Sequence, residues 1–486
     1  MIRSARLRGV FPAWTCFGAL AFVSASTSAA GGASAAQAAA SEPEGPSRTL
    51  KIGSISAVGL EQVSERQVMD ALASEELSAG ATLLWPEDAR VERARARLIS
   101  TGYFARVTLR LVPDPKDMAS VTLVVDVEER ASLTVSELFL GSSLMTPFHG
   151  GIQLVERNFL GRAIHVGGGL IWGTPPRQIA KARRQQGLRL SIEAPRIPEA
   201  RFGLAGTVYV LSASEPYRVA GAPGDPDPRL FRALDYSRVG GIVGGTFPIT
   251  TSLRLAVDYR FERIDTQAPE GVDLALNGGI SRLTTAGLSL DWDGREQAAQ
   301  LGKGGRFGLD IHVSSPMIGS EYEYVRVVGG GAYTFRLPWR HWITPSVLGG
   351  QISGSAPRFE LFYGGDLSDL APGREMGLIY STRSAFDLLG TGIAGRAFGV
   401  LFFRGDLEYV WPLFRRGLPR GLLGGHVFVS SGVYSLLGDA AERAGWRSIG
   451  ARAAPLGLNL GLGLRLETAL GTIELSVGNA TRRLPL

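Results

Sequence analysis

Reactive side chains are scarce in this sequence. It holds one cysteine, Cys16, and five histidines, at positions 149, 165, 312, 341 and 426. These are too scattered for metal-ligand spacing, and no G-x-S-x-G nucleophile motif occurs. No basic block stands out from a formal net charge of +6, so nothing calls for a nucleic-acid partner. Beyond residue 40 no stretch is apolar for long enough to make a spanning helix. An apolar fraction of 45% excludes a disordered chain.

Glycine is abundant instead: 64 of 486 residues, roughly twice ordinary usage. The N-terminus sets the address. Arg3, Arg6 and Arg8 precede an apolar run from about Val10 to Val23, which has the length of a signal peptide. Residues 1–30 are expected to be that signal, with Thr27-Ser28-Ala29 offering a cleavage site, and 31–47 a linker. Cleavage would remove Cys16 and with it all thiol chemistry. Export without a spanning helix leaves a soluble secreted protein or a β-barrel.

Residues 48–131 read as a small mixed unit of order β-α-α-β-β. Leu50 to Val58 suits a strand, and Ser64 with Gln67 suits a capping box opening a helix to about Leu77. Pro86 sits well for a helix first turn; Val91, Ala94 and Leu98 then fall at helical spacing, and Gly102 closes the helix. Two strands follow, around Val107 to Leu111 and Val121 to Val127. The segment Leu98-Ile99-Ser100-Thr101-Gly102-Tyr103-Phe104-Ala105-Arg106-Val107, with the later Val125-Asp126-Val127-Glu128-Glu129-Arg130, resembles a POTRA domain. Gly102, Tyr103, Phe104 and Val107 carry that signature.

From residue 132 to 486 the pattern changes to period two. Leu253, Leu255, Val257, Tyr259 and Phe261 alternate with Arg254, Ala256, Asp258, Arg260 and Glu262. Leu458 to Leu466 alternates likewise with Asn459, Gly461, Gly463 and Arg465. Charges on so many polar faces suit a transmembrane antiparallel barrel with an apolar exterior and a wet lumen. The expected fold class is therefore mainly β, a barrel of about 16 strands behind the small unit. Fifteen strands are legible, from 132–140 to 472–479, and the residues after Asn479 are too few for a sixteenth. Odd connections are long and even ones short, as expected if the even ones are periplasmic turns.

Several segments resemble the BamA/TamA superfamily of outer-membrane proteins. They are Val155-Glu156-Arg157-Asn158-Phe159-Leu160-Gly161-Arg162, Asp291-Trp292-Asp293-Gly294-Arg295, Leu407-Glu408-Tyr409-Val410-Trp411-Pro412, and Gly461-Leu462-Gly463-Leu464-Arg465 to Gly471. Asp293 and Arg295 are candidate turn or lumen charges. The family's sixth extracellular loop carries a glycine pair and then "V-R-G-F/Y", whose arginine tucks into the lumen. Here Gly364 and Gly365 are present, but Ser368-Asp369-Leu370-Ala371-Pro372 replaces the tetrapeptide, leaving Arg374 as the nearest candidate cation.

Gly390-Thr391-Gly392-Ile393-Ala394-Gly395 spells a dinucleotide fingerprint without the strand and helix that would make it a phosphate site. His312 and Ser314 share a face and are read as polar lumen residues rather than a hydrolase pair. No catalytic activity, cofactor or metal is expected. The resemblance implies a bacterial outer-membrane location with the small domain in the periplasm. It implies as partners membrane lipid, extended or unfolded client polypeptides and periplasmic accessory proteins. The implied function is insertion of clients into the outer membrane or their passage across it, by strand pairing at the POTRA edge and the barrel seam. Two alternatives stand beside it: a two-partner secretion exporter, or a pore or structural barrel without assembly activity.

Overall fold

The computed structural model describes residues 24–26, 48–85, 88–100, 103–114, 117–129, 132–141, 148–162, 164–175, 182–194, 202–219, 228–250, 252–267, 276–295, 302–364, 374–375, 378–379, 397–414, 422–438, 456–468 and 471–481.

The small unit runs β1 (Arg48–Val58), α1 (Glu65–Ala73), β2 (Thr82–Trp85), α2 (Ala89–Ser100), β3 (Phe104–Asp114) and β4 (Asp117–Glu129). Its order is thus β-α-β-α-β-β, which corrects the expected β-α-α-β-β. The added strand is short, but Leu83 is fully buried and Arg48 to Lys51 pair with Trp85 to Thr82. In the four-stranded sheet, of order β2-β1-β4-β3, β4 runs parallel to β1 and antiparallel to β3.

The helices lie on one face because their apolar residues recur three and four apart: Val68 and Leu72 on α1, Val91, Ala94 and Leu98 on α2. They close over Ile52, Phe104, Val107, Leu123 and Val125. Asp88 caps α2, accepting from the backbone N–H groups of Leu84 and Arg90. The Arg90 guanidinium bonded to it, at 2.7 Å, holds its carboxyl well below the usual carboxylate range. The capping box expected at Ser64 does not form. The Ser64 side chain makes no cap bond, and the Gln67 side chain reaches instead to the carbonyl of Gly161.

The larger unit is one antiparallel meander in which each strand pairs with the next. It comprises β5 (Leu133–Gly141), β6 (His149–Phe159), β7 (Ile164–Gly173), β8 (Gln185–Ala194), β9 (Gly203–Arg218), β10 (Phe231–Pro248), β11 (Leu253–Thr266) and β12 (Gly279–Asp293). It continues with β13 (Gly304–Ser314), β14 (Glu323–Arg336), β15 (Trp342–Ser355), β16 (Leu401–Pro412), β17 (Leu422–Leu437), β18 (Leu456–Thr468) and β19 (Gly471–Thr481). Among the described residues the sheet has 16 strands, the sixteenth being the three-residue Ser24–Ser26. That segment pairs antiparallel with β19, Ser24 opposite Glu474 and Ser26 opposite Thr472, and also lies beside β5. Connections mostly alternate in length: 160–163, 249–252 and 469–470 are short, and 219–230, 267–278 and 356–400 are long, the exception being 294–303, which is longer than 315–322.

The sheet is inside-out. On β11 the apolar Val257, Tyr259 and Phe261 are exposed, and the charged Arg260 and Glu262 are buried. Beyond Phe261 the polarity reverses, with Ile264 buried and Arg263 and Asp265 exposed, so the outward apolar belt ends there. A belt of bounded height on the exposed face is what a bilayer requires of a strand wall. No helix among the described residues is long and apolar enough to cross a membrane. The buried face is less wet than expected. Tyr236, Ile264, Leu283, Tyr324, Ile352, Phe362, Phe402 and Phe428 join one apolar cluster there, because bulky residues replace polar ones inside toward the long-loop end.

Candidate functional site

The buried face carries ion pairs spaced by the two-residue strand period. Arg260 and Glu262 on β11 point the same way. Glu262 is fully buried and accepts from the Arg238 guanidinium on β10 and, at 2.8 Å, from the Tyr209 hydroxyl on β9. Tyr209, Gly240 and Glu262 form one cross-strand row, and a Cβ at Gly240 would lie 2.8 Å from the Tyr209 oxygen. The glycine is what allows the tyrosine to cross an intervening strand. The same device recurs in the row Asp258, Gly287, His312, Arg326. On β16 and β18, Glu408 accepts a bidentate pair of bonds from Arg465, both at 2.9 Å, and Arg465 lies over the Phe428 ring. Charges this deeply buried persist only when paired and hydrogen-bonded.

Into this face folds the root of the long connection after β15. A turn at Arg358–Glu360 buries Phe359 and Glu360. Glu360 accepts from Arg260 at 2.7 Å. Phe359 packs on Tyr236 at 4.6 Å between ring centroids and lies 4.8 Å beneath the Arg238 guanidinium. Phe362 meets Phe402 edge-on at 4.4 Å, with Arg326 above it. Gly350 makes room, since a Cβ there would come within 2.5 Å of Phe402 and 2.7 Å of Phe362. The described loop root thus places a loop glutamate, Glu360, against a wall arginine, Arg260. Sequence reasoning missed Glu360; its signal was one carboxylate among the large aromatic and aliphatic side chains of Phe359-Glu360-Leu361-Phe362-Tyr363.

The candidate loop residues are only partly in view. Gly364 ends a short strand, Phe362–Gly364, paired with Ala397–Gly399. The Arg374 backbone pairs with Ile379, while its side chain, Gly365 and the 390–395 glycine motif lie outside the described residues. Asp293 and Arg295 form an ion pair at 2.6 Å just past the end of β12, apart from the loop root. His312 and Ser314 are both buried, but Ser314 donates to the Tyr322 carbonyl at 2.9 Å. Among the described residues no group of His, Cys, Asp and Glu could hold a metal ion.

The small domain docks on the short connection between β6 and β7. Leu160 and Gly161 both have left-handed φ, 56° and 69°, closing a tight turn. Asn158 donates to the Gln62 carbonyl at 3.1 Å, and Gln67 donates to the Gly161 carbonyl. Gln62 is held in place by Glu129, whose carboxylate accepts from the backbone N–H groups of Glu61, Gln62 and Val63. Of the signature residues, Phe104 and Val107 are core, Tyr103 brings its hydroxyl within 3.4 Å of His165 Nε2 on β7, and Gly102 lies outside the described residues. Burial pushes the Tyr103 hydroxyl up to about 12. Among the described residues β2 and β3 are the rims of the small sheet, and β19 pairs beyond β18 with the short Ser24–Ser26, which also lies beside β5. At the other end β5 has a bulge between Val135 and Glu137.

The Omp85 superfamily domain matches residues 158–483 of this chain. Among solved structures, BamA from Haemophilus ducreyi lacking POTRA domains 1–3 is similar at 12% identity and a TM-score of 0.53, over 89% of this chain and 84% of that one. CdiB from Acinetobacter baumannii is similar at 11% identity and 0.52, over 89% and 74%. CdiB from Escherichia coli gives 10% and 0.50, over 91% and 92%. No curated protein matches the chain significantly.

Proposed function

The chain belongs to the Omp85 superfamily, whose members serve outer-membrane protein transport and biogenesis without catalysis, and from that premise we propose that it passes extended polypeptides across the outer membrane. In this reading the meander closes as a barrel, the small domain faces the periplasm, and the loop root at Arg358–Glu360 is a displaceable stopper. The observation that carries the reading is the tether itself. The stopper is held through the Arg260–Glu360 pair and the Phe359 contacts, against a wall otherwise studded with paired charges. The open rim of β3 offers backbone groups for β-augmentation by an extended client before it enters.

A second reading, insertion of clients sideways into the membrane, draws on one observation. The edge of β19 pairs in antiparallel register with three residues of the chain's own N-terminal segment, Ser24–Ser26, which lie within the expected signal. Depleting the protein separates the readings. Passage predicts loss of secreted or surface polypeptides at constant levels of outer-membrane barrels. A fall in those barrels with secretion intact would favour insertion. If both are unchanged while small-solute permeability falls, the protein is a pore.

A further inference from the structure

The exposed face of the sheet is not uniformly convex. Strand register places two outward rows side by side. One runs Val166, Ile192, Gly206, Val243, Tyr259, and the next Gly168, Leu190, Val208, Gly241, Phe261. Where most neighbours carry branched or aromatic side chains, Gly206 and Gly241 carry none, and their positions are diagonal across the β9–β10 pair. The result is a trough of about 560 Å³ floored by the two glycines and walled by Leu190, Ile192, Val208, Val243, Tyr259 and Phe261. Each of those six wall side chains is exposed. Toward the small-domain side the strand ends carry an aromatic pair, Phe202 and Phe247, with ring centroids 5.9 Å apart.

We propose that this trough is a binding site for one acyl chain of a glycerophospholipid in the leaflet facing the small domain. The occupant follows from continuity: the trough is a recess within the outward apolar belt, so whatever covers that belt fills it. Its six wall side chains carry no polar group except the Tyr259 hydroxyl, which is already committed to the Ile318 carbonyl at 3.1 Å. A peptide strand laid there would leave its backbone N–H and C=O groups without partners, whereas a hydrocarbon chain has none to satisfy. The Phe202–Phe247 pair stands where aromatic side chains mark the headgroup level of membrane proteins. A chain entering there runs up between the rows, against glycine backbone, with contact on both flanks that a flat wall cannot give.

The site rests on the sheet facing the bilayer, and the experiment keeps the two claims apart. The full chain is extracted from membranes in a mild detergent, and retained phospholipid is counted by native mass spectrometry. Wild type is expected to keep one phospholipid. Gly206→Leu fills the floor without a clash at Cβ, its nearest neighbour being Ile192 Cγ2 at an ordinary contact distance of 3.6 Å, and should cut the lipid-bound fraction at least tenfold. Ile192→Trp, filling from the wall, should do the same, and Val347→Leu elsewhere on the exposed face should not. Heat-modifiable gel mobility verifies that each variant is folded. Wild type with no retained phospholipid, or equal retention in wild type and Gly206→Leu, overturns the acyl site alone. A chain absent from the membrane fraction overturns the bilayer placement and the site together.

Discussion

The carboxylate of Glu360 and the guanidinium of Arg260 are 100 residues apart in sequence and 2.7 Å apart in space, both inside the sheet. Arg260 also donates to the Tyr324 hydroxyl at 3.4 Å, but its direct carboxylate partner across the loop root is Glu360. Removing one member of the pair strips the other of that direct partner, at a cost of up to about 3–5 kcal/mol, whereas replacing both with apolar residues of similar volume is close to neutral. Glu360→Gln is therefore expected to release the loop root, raising susceptibility to large antibiotics and lowering the temperature at which the heat-modifiable form is lost. The double variant Arg260→Met with Glu360→Met should recover the stability. A double variant no better than Glu360→Gln would show that the pair is not what holds the root.

Phe359 tests the same stopper without charge. It packs on Tyr236 and beneath Arg238, so Phe359→Ala opens a cavity and should cost about 3–5 kcal/mol. The expected readout is single-channel recording in planar bilayers, with more frequent open events than wild type. Unchanged conductance would mean that the root does not close the path.

Glu129 sets the loop on which docking depends. Its carboxylate accepts from three consecutive N–H groups, at Glu61, Gln62 and Val63, and Gln62 then accepts from Asn158. Glu129→Ala leaves those donors without their acceptor and should destabilise the small domain by about 1–3 kcal/mol. Limited proteolysis should then separate the two units faster. Glu129→Gln keeps one acceptor oxygen and should fall between wild type and Glu129→Ala.

Much of this was legible in the sequence, and the failures have a common cause. The strands of the meander follow period two, and most of their observed bounds lie within a few residues of expectation. Two examples are Leu133–Gly141 against 132–140 and Gly471–Thr481 against 472–479. The family resemblance marked Asn158 to Gly161 as a turn, though only the structure shows that the turn receives the small domain. The errors arose where a residue answers to a distant partner. Gln67 looked like a helix cap and binds another domain; Thr82–Trp85 was too short to announce itself without Arg48 to Lys51 beside it. The lumen looked wet because period two reports alternation and not what folds back inside. Glu360 was invisible for the same reason, since its partner lies on a strand far earlier in the chain.

Inner glycines should be intolerant where outer ones are not. Gly287 sits between Asp258 and His312, and a Cβ there would lie 2.5 Å from the His312 ring, which is itself buried. Gly287→Ala is expected to cost about 1–3 kcal/mol by overpacking. Gly206→Ala would meet Ile192 Cγ2 at an ordinary contact distance of 3.6 Å and should be near neutral. Urea midpoints of the two variants check the contrast, and His312→Ala should restore Gly287→Ala in part, since the Asp258 carboxylate crowds the same position. Equal midpoints would remove the role assigned to the inner glycine.

Tyr103 connects the small-domain signature to β7, and its ionisation reports on that contact. Burial holds its hydroxyl up at about 12, against about 10 for an unperturbed tyrosine. The neutral phenol is the form favoured by the fold. This contribution to stability is complete below about pH 10 and is lost as pH rises through 12. The difference in absorbance at 295 nm between wild type and Tyr103→Phe isolates this phenol from the other tyrosines, and should titrate near 12 in the folded chain. Truncating Asn158 to alanine loosens the neighbouring turn contact to Gln62 and should bring that midpoint down toward 10. A midpoint already near 10 in the wild-type chain would mean that Tyr103 is solvated and that the small domain is not seated on β7.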